Sequence, residues 1–404
     1  MGAIGDALAA AVSAAAPAFG PAWLLRPRLD EPGEIYTFYS YKGGTGRSMG
    51  LVNCAGLIAQ HLPLAARSLL LVDFDLEAPG LHRYLEPCVD RAVLAAAPGV
   101  LDLFEALARE VDAQLASRGL PALDDERVAA LVERFDLAPY RVPVRLPGDT
   151  DASAPARLHL IAAGRFDEQY DERLARFDWP RLHARAPALF RAVAARLAGE
   201  HSFVFVDSRT GLSDTSGIST MLLPDVLVVV FTPNSQSLTG IEHLVRRAVA
   251  YREQASDMRP LRVYPLASRV DNQVEHFRRV WRLGDTNHAL FGHVQGYQPL
   301  FEQLFEQTLA ADIAPLGTRL ADYFDQVQVP HTADYAFGER LCFGRQASSD
   351  SLSIRGAYEL FLPWLVTGAQ PWERPEVALV DLRAQLWLRE AGVAEPPEIG
   401  RAHV

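Results

Sequence analysis

Lysine is almost missing from this chain. Of its 39 basic residues only Lys42 is a lysine, and every other one is arginine. A composition that has given up lysine everywhere else and kept it at one position points to chemistry there that needs a compact ammonium rather than a planar fork. Cysteine is scarce as well. Cys54, Cys88 and Cys342 are odd in number and far apart, which excludes a disulfide framework or a paired-cysteine metal site and fits a reducing cytosol. No run approaches the roughly 20 apolar residues that span a bilayer, so no membrane helix is expected. The alanine-rich stretch Met1–Gly20 has no basic leader, so no signal peptide is expected and the chain reads as cytoplasmic. Positive charge is in deficit, with a formal net charge of −11. That runs against a protein whose main task is to coat DNA or an anionic membrane. The eleven histidines show no metal-ligand spacing. A globular chain of 404 residues remains, enough for one large α/β domain with additions, or for two domains.

What is present is organised around one stretch. A β-type run, Glu34–Ser40, leads into a glycine-rich loop from Lys42 to Gly46, and Ser48 then opens an apolar helical segment, Met49–His61. Strand, glycine loop and helix in that order build a phosphate cradle, because successive backbone N–H groups turn inward and the helix N-terminus adds positive potential. Further strands are predicted at Leu69–Asp75, Leu158–Ala162, Phe203–Asp207, Asp225–Thr232 and Leu261–Ala267, with Val327–Ala336 returning to the sheet edge. Their near-continuous apolar runs suit strands covered on both faces. Helices are predicted over 100–150, 167–199, 235–255 (capped by Ser235 or Ser237), 272–325 and 351–391. This alternation predicts an α/β fold: a doubly wound, mostly parallel sheet flanked by helices. Pro17, Pro21 and Pro27 break the first segment, so residues 1–32 read as an N-terminal extension. The polar, proline- and glycine-containing stretch from Pro143 to Ser153 reads as a mobile insertion.

The chemistry-bearing residues fall at strand ends. The common phosphate-loop pattern G-x-x-x-x-G-K-[ST] is missed twice, with Tyr41 in place of the first glycine and Arg47 in place of the lysine. A variant form fits: Lys42-Gly43-Gly44-Thr45-Gly46-Arg47-Ser48. Ser48 is placed to offer a hydroxyl to Mg²⁺. Asp73 and Asp75 end one strand and Asp207 ends another, and open α/β sheets bind ligands at those carboxyl ends. Hard Mg²⁺ takes one or two carboxylates together with phosphate oxygens. One acid then remains to orient an attacking water. Glu77 and Asp214 are further loop acids that could touch the site or only be solvated. Arg246, Arg247, Arg278, Arg279 and Arg282 read as a salt-bridged surface rather than a nucleic-acid face. The apolar stripes at Phe301, Leu304, Phe305 and Phe361–Leu365 read as core, and Trp364, Trp372 and Trp387 as packing residues.

These motifs, taken together and in order, resemble the ParA/MinD group of deviant Walker A P-loop ATPases. The resemblance covers roughly residues 34–340 and is carried by the Lys42 loop, the Asp73-x-Asp75 strand, Leu158–Gly164, the Asp207 strand and Phe231-Thr-Pro-Asn234. Within that group the chain is most similar to a bacterial branch reading KGGxGRSM. The pieces shared with it are Lys42–Met49, Asp73–Leu81, Asp207–Gly211, Ser268–Asp271 and Tyr335–Glu339. The resemblance implies an ATPase domain over 33–345 with helical insertions at about 100–156 and 272–325, and a C-terminal helical segment over 346–404. It also implies ATP and Mg²⁺ as cofactors and a homodimer formed on ATP binding. Lys42 would cross to the partner's phosphates, and Gly43, Gly44, Thr45, Gly46, Arg47, Ser48 and Met49 would wrap its own. Asp75 would position the hydrolytic water, while Ser48, Asp73 and Asp207 would hold hydrated Mg²⁺. Ser208–Thr215 would sense the γ-phosphate, and Ser268, Arg269 and Asp271 would read adenine. Arg47 departs from most relatives, which carry lysine there; it keeps the charge but reaches differently, which points to slow turnover. The implied function is an ATP-driven dimeric switch in a bacterial regulatory, signalling or defence system, acting on a separate protein partner. The alternatives are a nucleotide-holding scaffold with negligible turnover and a DNA-partition or positioning ATPase; nucleic acid is possible but not favoured.

Overall fold

Leu69–Asp73 and Val226–Phe231 are buried along their whole length, as strands covered on two faces must be. The side chains of adjacent residues go to opposite faces. Leu69 and Leu71 join one core cluster with Phe203 and Phe205, while Leu70 and Val72 join another with Val204 and Val206. This computed structural model describes residues 32–62, 67–149, 154–211, 213–255, 260–309, 317–335, 338–343 and 353–375. Ten strands lie among them: β1 Glu34–Tyr39, β2 Leu69–Asp73, β3 Val142–Val144, β4 Leu158–Ile161, β5 Phe203–Asp207, β6 Val226–Phe231, β7 Arg262–Val270, β8 Asp285–His288, β9 Gly292–Val294 and β10 Gln328–Pro330. Eight form one sheet in the order β10-β7-β6-β1-β5-β2-β4-β3. Every pairing in it is parallel except β3 with β4. The expected fold class is borne out: an α/β, mostly parallel sheet with helices on both faces.

The helices Arg47–His61, Ser235–Glu253, Tyr297–Thr308 and Ile354–Thr367 cover one face. Val100–Arg118, Asp125–Arg134 and Leu189–Glu200 cover the other. Phe301, Leu304, Phe305, Phe361 and Leu365 are core residues, as read from sequence, and so is Trp364. Trp372 lies against Phe305 with ring centroids 5.4 Å apart. The three cysteines are free and buried. No helix among the described residues is long and apolar enough to cross a membrane.

Several local expectations are corrected. The 272–325 stretch is not helical throughout, because Asp285–His288 and Gly292–Val294 pair as a small antiparallel hairpin. The turn Ala289-Leu-Phe291 carries no polar turn signature, and its apolar side chains masked it in the sequence. The 100–150 stretch ends in β3, an antiparallel edge strand containing Pro143, a residue that edge strands tolerate. The Ser235–Glu253 helix is capped by Asn234, whose side chain accepts from the Ser237 N–H at 3.0 Å. The expected extension at 1–32 lies outside the described residues except for Pro32, as do Trp387 and the 376–391 part of the last predicted helix.

A buried histidine, His201, beside the half-buried His159 near the foot of β5 gives a pH prediction. His201 meets the Ser68 hydroxyl at 3.0 Å, and its ring lies 6.0 Å from that of His159. Burial, with the Arg141 charge adding to it, pushes His201 down to about 3 and His159 down to about 4. Unfolding restores an ordinary value near 6.5, so the unfolded chain takes up the proton first. Stability from the neutral ring is therefore complete above about pH 6.5 and is lost as pH falls toward the folded value. Relative to His201→Gln, the wild type should lose about 2 kcal/mol between pH 7 and pH 5. Urea unfolding of both chains at the two pH values measures this; an unchanged gap between them would sink it.

Candidate functional site

β1 sits mid-sheet between β5 and β6, and the chain leaves it toward β2 on the far side of β5. The strand order reverses there, and such a switch point opens a crevice at the carboxyl ends. The loop Ser40–Gly46 emerges into that crevice. Gly44 (φ 73°) and Gly46 (φ 89°) take left-handed backbone angles that residues with a Cβ rarely adopt. The Ser40 hydroxyl donates to the Lys42 carbonyl at 2.9 Å. Gly43 and Gly44 are exposed and Lys42 is half-buried. Among the described residues the Lys42 amine has no hydrogen bond or ion pair.

Tyr41 explains how the loop starts without its usual first glycine. Its ring lies flat on Gly240 of the Ser235–Glu253 helix, where an added Cβ would fall 2.1 Å from the ring's Cγ. Sequence reasoning missed Gly240; an isolated glycine inside a helical pattern was the available signal. Gly240→Ala should push Tyr41 and the loop aside, costing about 1–3 kcal/mol of stability. It should also weaken anion binding at the loop. Thermal melts with and without ADP test this, and an unshifted melt would exclude the contact.

The acids come together as the sequence predicted. Asp73 and Asp207 are directly opposite in the β2–β5 register, and Phe38 of β1 is opposite Asp207. Asp73 and Asp207 are fully buried, and Asp75 is 6% exposed. Arg47, the first residue of its helix and itself 7% exposed, reaches all but one of them. Its Nε donates to Asp207 at 2.6 Å and its Nη2 to Asp75 at 2.7 Å. The Ser48 hydroxyl donates to the second Asp207 oxygen, also at 2.6 Å. Asp73 instead accepts from the backbone N–H groups of Leu81 at 3.1 Å and Asp75 at 3.3 Å.

The electrostatics follow from this geometry. Burial foremost, then the neighbouring Asp207, pushes the Asp73 carboxyl well above the usual carboxylate range. Burial also raises Asp207, with Arg47 and the Ser48 hydroxyl opposing it. Burial works against the Arg47 charge, but Asp207 and Asp75 outweigh it and hold the guanidinium protonated. A buried ion triad of this kind is costly to break from one side.

The remaining site residues are only partly assembled. Ser268 lies against the loop: a Cβ at Gly46 would be 3.0 Å from its hydroxyl. The hydroxyls of Ser268 and Thr45 are buried without a hydrogen-bond partner among the described residues. Arg269 is the one described residue other than glycine with a positive φ (54°), at an irregularity in the β7–β10 pairing. Arg269 and Asp271 are exposed, and among the described residues neither is hydrogen-bonded to the loop. Met49 turns into the core. In the expected switch segment, Tyr39 donates to the Gly211 carbonyl at 3.1 Å, and the Ser208 and Ser219 hydroxyls lie 2.7 Å apart. Arg209 pairs with Glu77, so Glu77 joins the two loops that flank the acids. Asp214 is exposed at the start of a short helix, and Leu212, Ala336 and Phe337 lie outside the described residues. Of the five arginines read as a salt-bridged surface, Arg246 pairs with Glu242 at 2.9 Å and Arg282 with Asp325 at 2.5 Å, whereas Arg247, Arg278 and Arg279 have no ion pair among the described residues.

The oxygen-only donor set of Ser48, Asp73 and Asp207 fits a hard divalent cation. Among the described residues, however, no three acid, histidine or cysteine side chains converge as a ready-made cation site. The guanidinium of Arg47 engages Asp207, one of the two acids in that set, together with Asp75.

Comparison with known proteins finds no matching family model and no matching curated protein. The solved structures it resembles include plasmid partition proteins, MinD proteins, a ParA family ATPase and a cobyrinic acid a,c-diamide synthase. The complex of Cyanothece McdA with ATP shares 13% identity, covers 91% of this chain and 100% of that one, and has a TM-score of 0.42. A putative plasmid partition protein from Borrelia burgdorferi bound to AMPPNP shares 12%, covers 84% and 100%, and scores 0.41. The septum site-determining protein MinD from Pyrococcus horikoshii, complexed with Mg-ADP, shares 15%, covers 90% and 100%, and scores 0.36.

Proposed function

We propose that this chain is a ParA/MinD-type ATPase: it binds ATP with Mg²⁺, dimerises on ATP, hydrolyses it slowly and so switches a separate protein partner in a bacterial regulatory, signalling or defence system. One observation carries the reading. The glycine loop after β1 and the acids ending β2 and β5 meet at the sheet's switch point, with Ser48, Arg47, Asp75 and Asp207 already in mutual contact.

Each residue then has a task. The N–H groups of Gly43–Ser48 and the Arg47 guanidinium would bind the phosphates, and the Thr45 and Ser268 hydroxyls are placed to add to them. Ser48, Asp73 and Asp207 would hold Mg²⁺. When bound, that ion supplies charge neutralisation at the phosphate oxygens and fixes their orientation. Asp75, at the lip of the acid cluster, would accept a hydrogen bond from the attacking water and orient it. The Tyr39–Gly211 and Arg209–Glu77 contacts would carry a change at the phosphates into the segment after Asp207. Lys42, whose amine has no partner among the described residues, would reach the partner's phosphates.

Phosphate release from ATP that EDTA abolishes is the expected result; no release above a buffer blank would refute hydrolysis. One further reading has its own support. Arg47 tied to both acids favours a nucleotide-holding scaffold with negligible turnover, and the same assay separates the two.

A further inference from the structure

Arg47 holds more of the acid cluster than a phosphate-binding residue needs to. Its Nε and Nη2 engage Asp207 and Asp75, and Nη2 lies a further 3.4 Å from the second Asp207 oxygen and 3.3 Å from the Ser48 hydroxyl. That hydroxyl is itself turned onto Asp207. One guanidinium therefore ties up the proposed water-orienting acid and two of the three proposed cation ligands. Its remaining nitrogen, Nη1, is buried and has no hydrogen-bond partner among the described residues.

We infer that Arg47 is an internal placeholder for the divalent cation: in the nucleotide-free chain its charge occupies the Asp75–Asp207 pair and keeps metal out until a polyphosphate draws the guanidinium away. The inference rests on the proposed nucleotide site and adds an order of events to it. A guanidinium and a divalent cation cannot both sit on the buried Asp207 carboxylate, because their repulsion is weakly screened there. Arginine suits this task better than lysine. Its fork spans two carboxylates at once, and it cannot escape by losing its proton. The unpartnered Nη1 is the donor left to meet an incoming phosphate oxygen, and a bidentate arginine–phosphate contact can replace the carboxylate pairing. Metal and nucleotide then enter together, so a cell's free Mg²⁺ does not load the empty protein.

Mn²⁺ titration of the full-length chain, read by the paramagnetic resonance signal of free Mn²⁺, tests this without relying on turnover. Without nucleotide, Arg47→Gln should bind Mn²⁺ at least about tenfold more tightly than the wild type, because two buried carboxylates have lost their cation. Arg47→Lys keeps the charge but reaches one carboxylate, and should fall between them; it serves if the glutamine variant does not fold, as circular dichroism would show. With ADP present, the wild type should bind Mn²⁺ readily. Folded variants with the wild type's nucleotide-free Mn²⁺ affinity would overturn the placeholder while leaving the nucleotide site intact. A wild type that binds no Mn²⁺ even with ADP would overturn both.

Discussion

Lys42→Ala should stay monomeric in the presence of a non-hydrolysable ATP analogue, whereas the wild type should double its mass in light scattering. This is the larger of the two expected effects, and it follows from where the lysine is and what it lacks. It sits at the rim of an exposed glycine loop, half-buried, with no side-chain partner among the described residues. An ammonium so placed, in a chain that uses arginine everywhere else, is free to bind an anion supplied from outside its own subunit. A charge-assisted hydrogen bond contributes about 1.5–3 kcal/mol. Two symmetric copies would contribute about twice that, or a loss of roughly 10²–10⁴-fold in dimer affinity. Nucleotide binding by the monomer should largely survive, since the Gly43–Ser48 cradle remains. A variant that dimerises like the wild type would refute the action of Lys42 across the interface.

Asp75→Ala should bind nucleotide and release phosphate roughly 10²–10³-fold more slowly than the wild type, the usual scale for losing a positioned acid or base. Asp75 is the least buried of the three acids and lies beyond the end of β2. Asp73 is occupied by two backbone N–H groups and Asp207 by Arg47 and Ser48. The Asp75 carboxylate, held among the described residues by the Arg47 Nη2 alone, is the one best placed to face a water once that arm leaves. Its removal also frees one arm of Arg47, so the variant's stability should be checked by urea unfolding before rates are compared. Single-turnover phosphate release decides the matter. If wild-type release does not rise above the Asp75→Ala background, the scaffold reading replaces the enzyme.

Much of this arrangement was legible in the sequence for definite physical reasons. The strands carrying the site are apolar on both faces, and the acids stand out at their ends because nothing else polar interrupts those runs. The glycine loop was legible because left-handed backbone needs Gly44 and Gly46. Contacts between distant segments were not legible. Nothing local links Tyr41 to Gly240, or Arg209 to Glu77, and no spacing rule says that Asp73 would turn its oxygens onto Leu81 and Asp75. The largest revision concerns Arg47. By residue type it read as a phosphate ligand of altered reach; its contacts make it first an occupant of the acid cluster. The Asp285–Val294 hairpin was missed because its turn is apolar, and Asn234 was passed over because the two serines beside it looked like equally good caps.

Calorimetric titration of the intact chain with a non-hydrolysable ATP analogue, with and without Mg²⁺, tests the central claim most directly. One nucleotide should bind per chain, at least about tenfold more tightly when Mg²⁺ is present, as expected of a site where carboxylates and phosphates share a cation. Binding should also raise the melting temperature by mass action. No heat of binding and no thermal shift at millimolar analogue would contradict the assignment of this loop and these acids to a nucleotide.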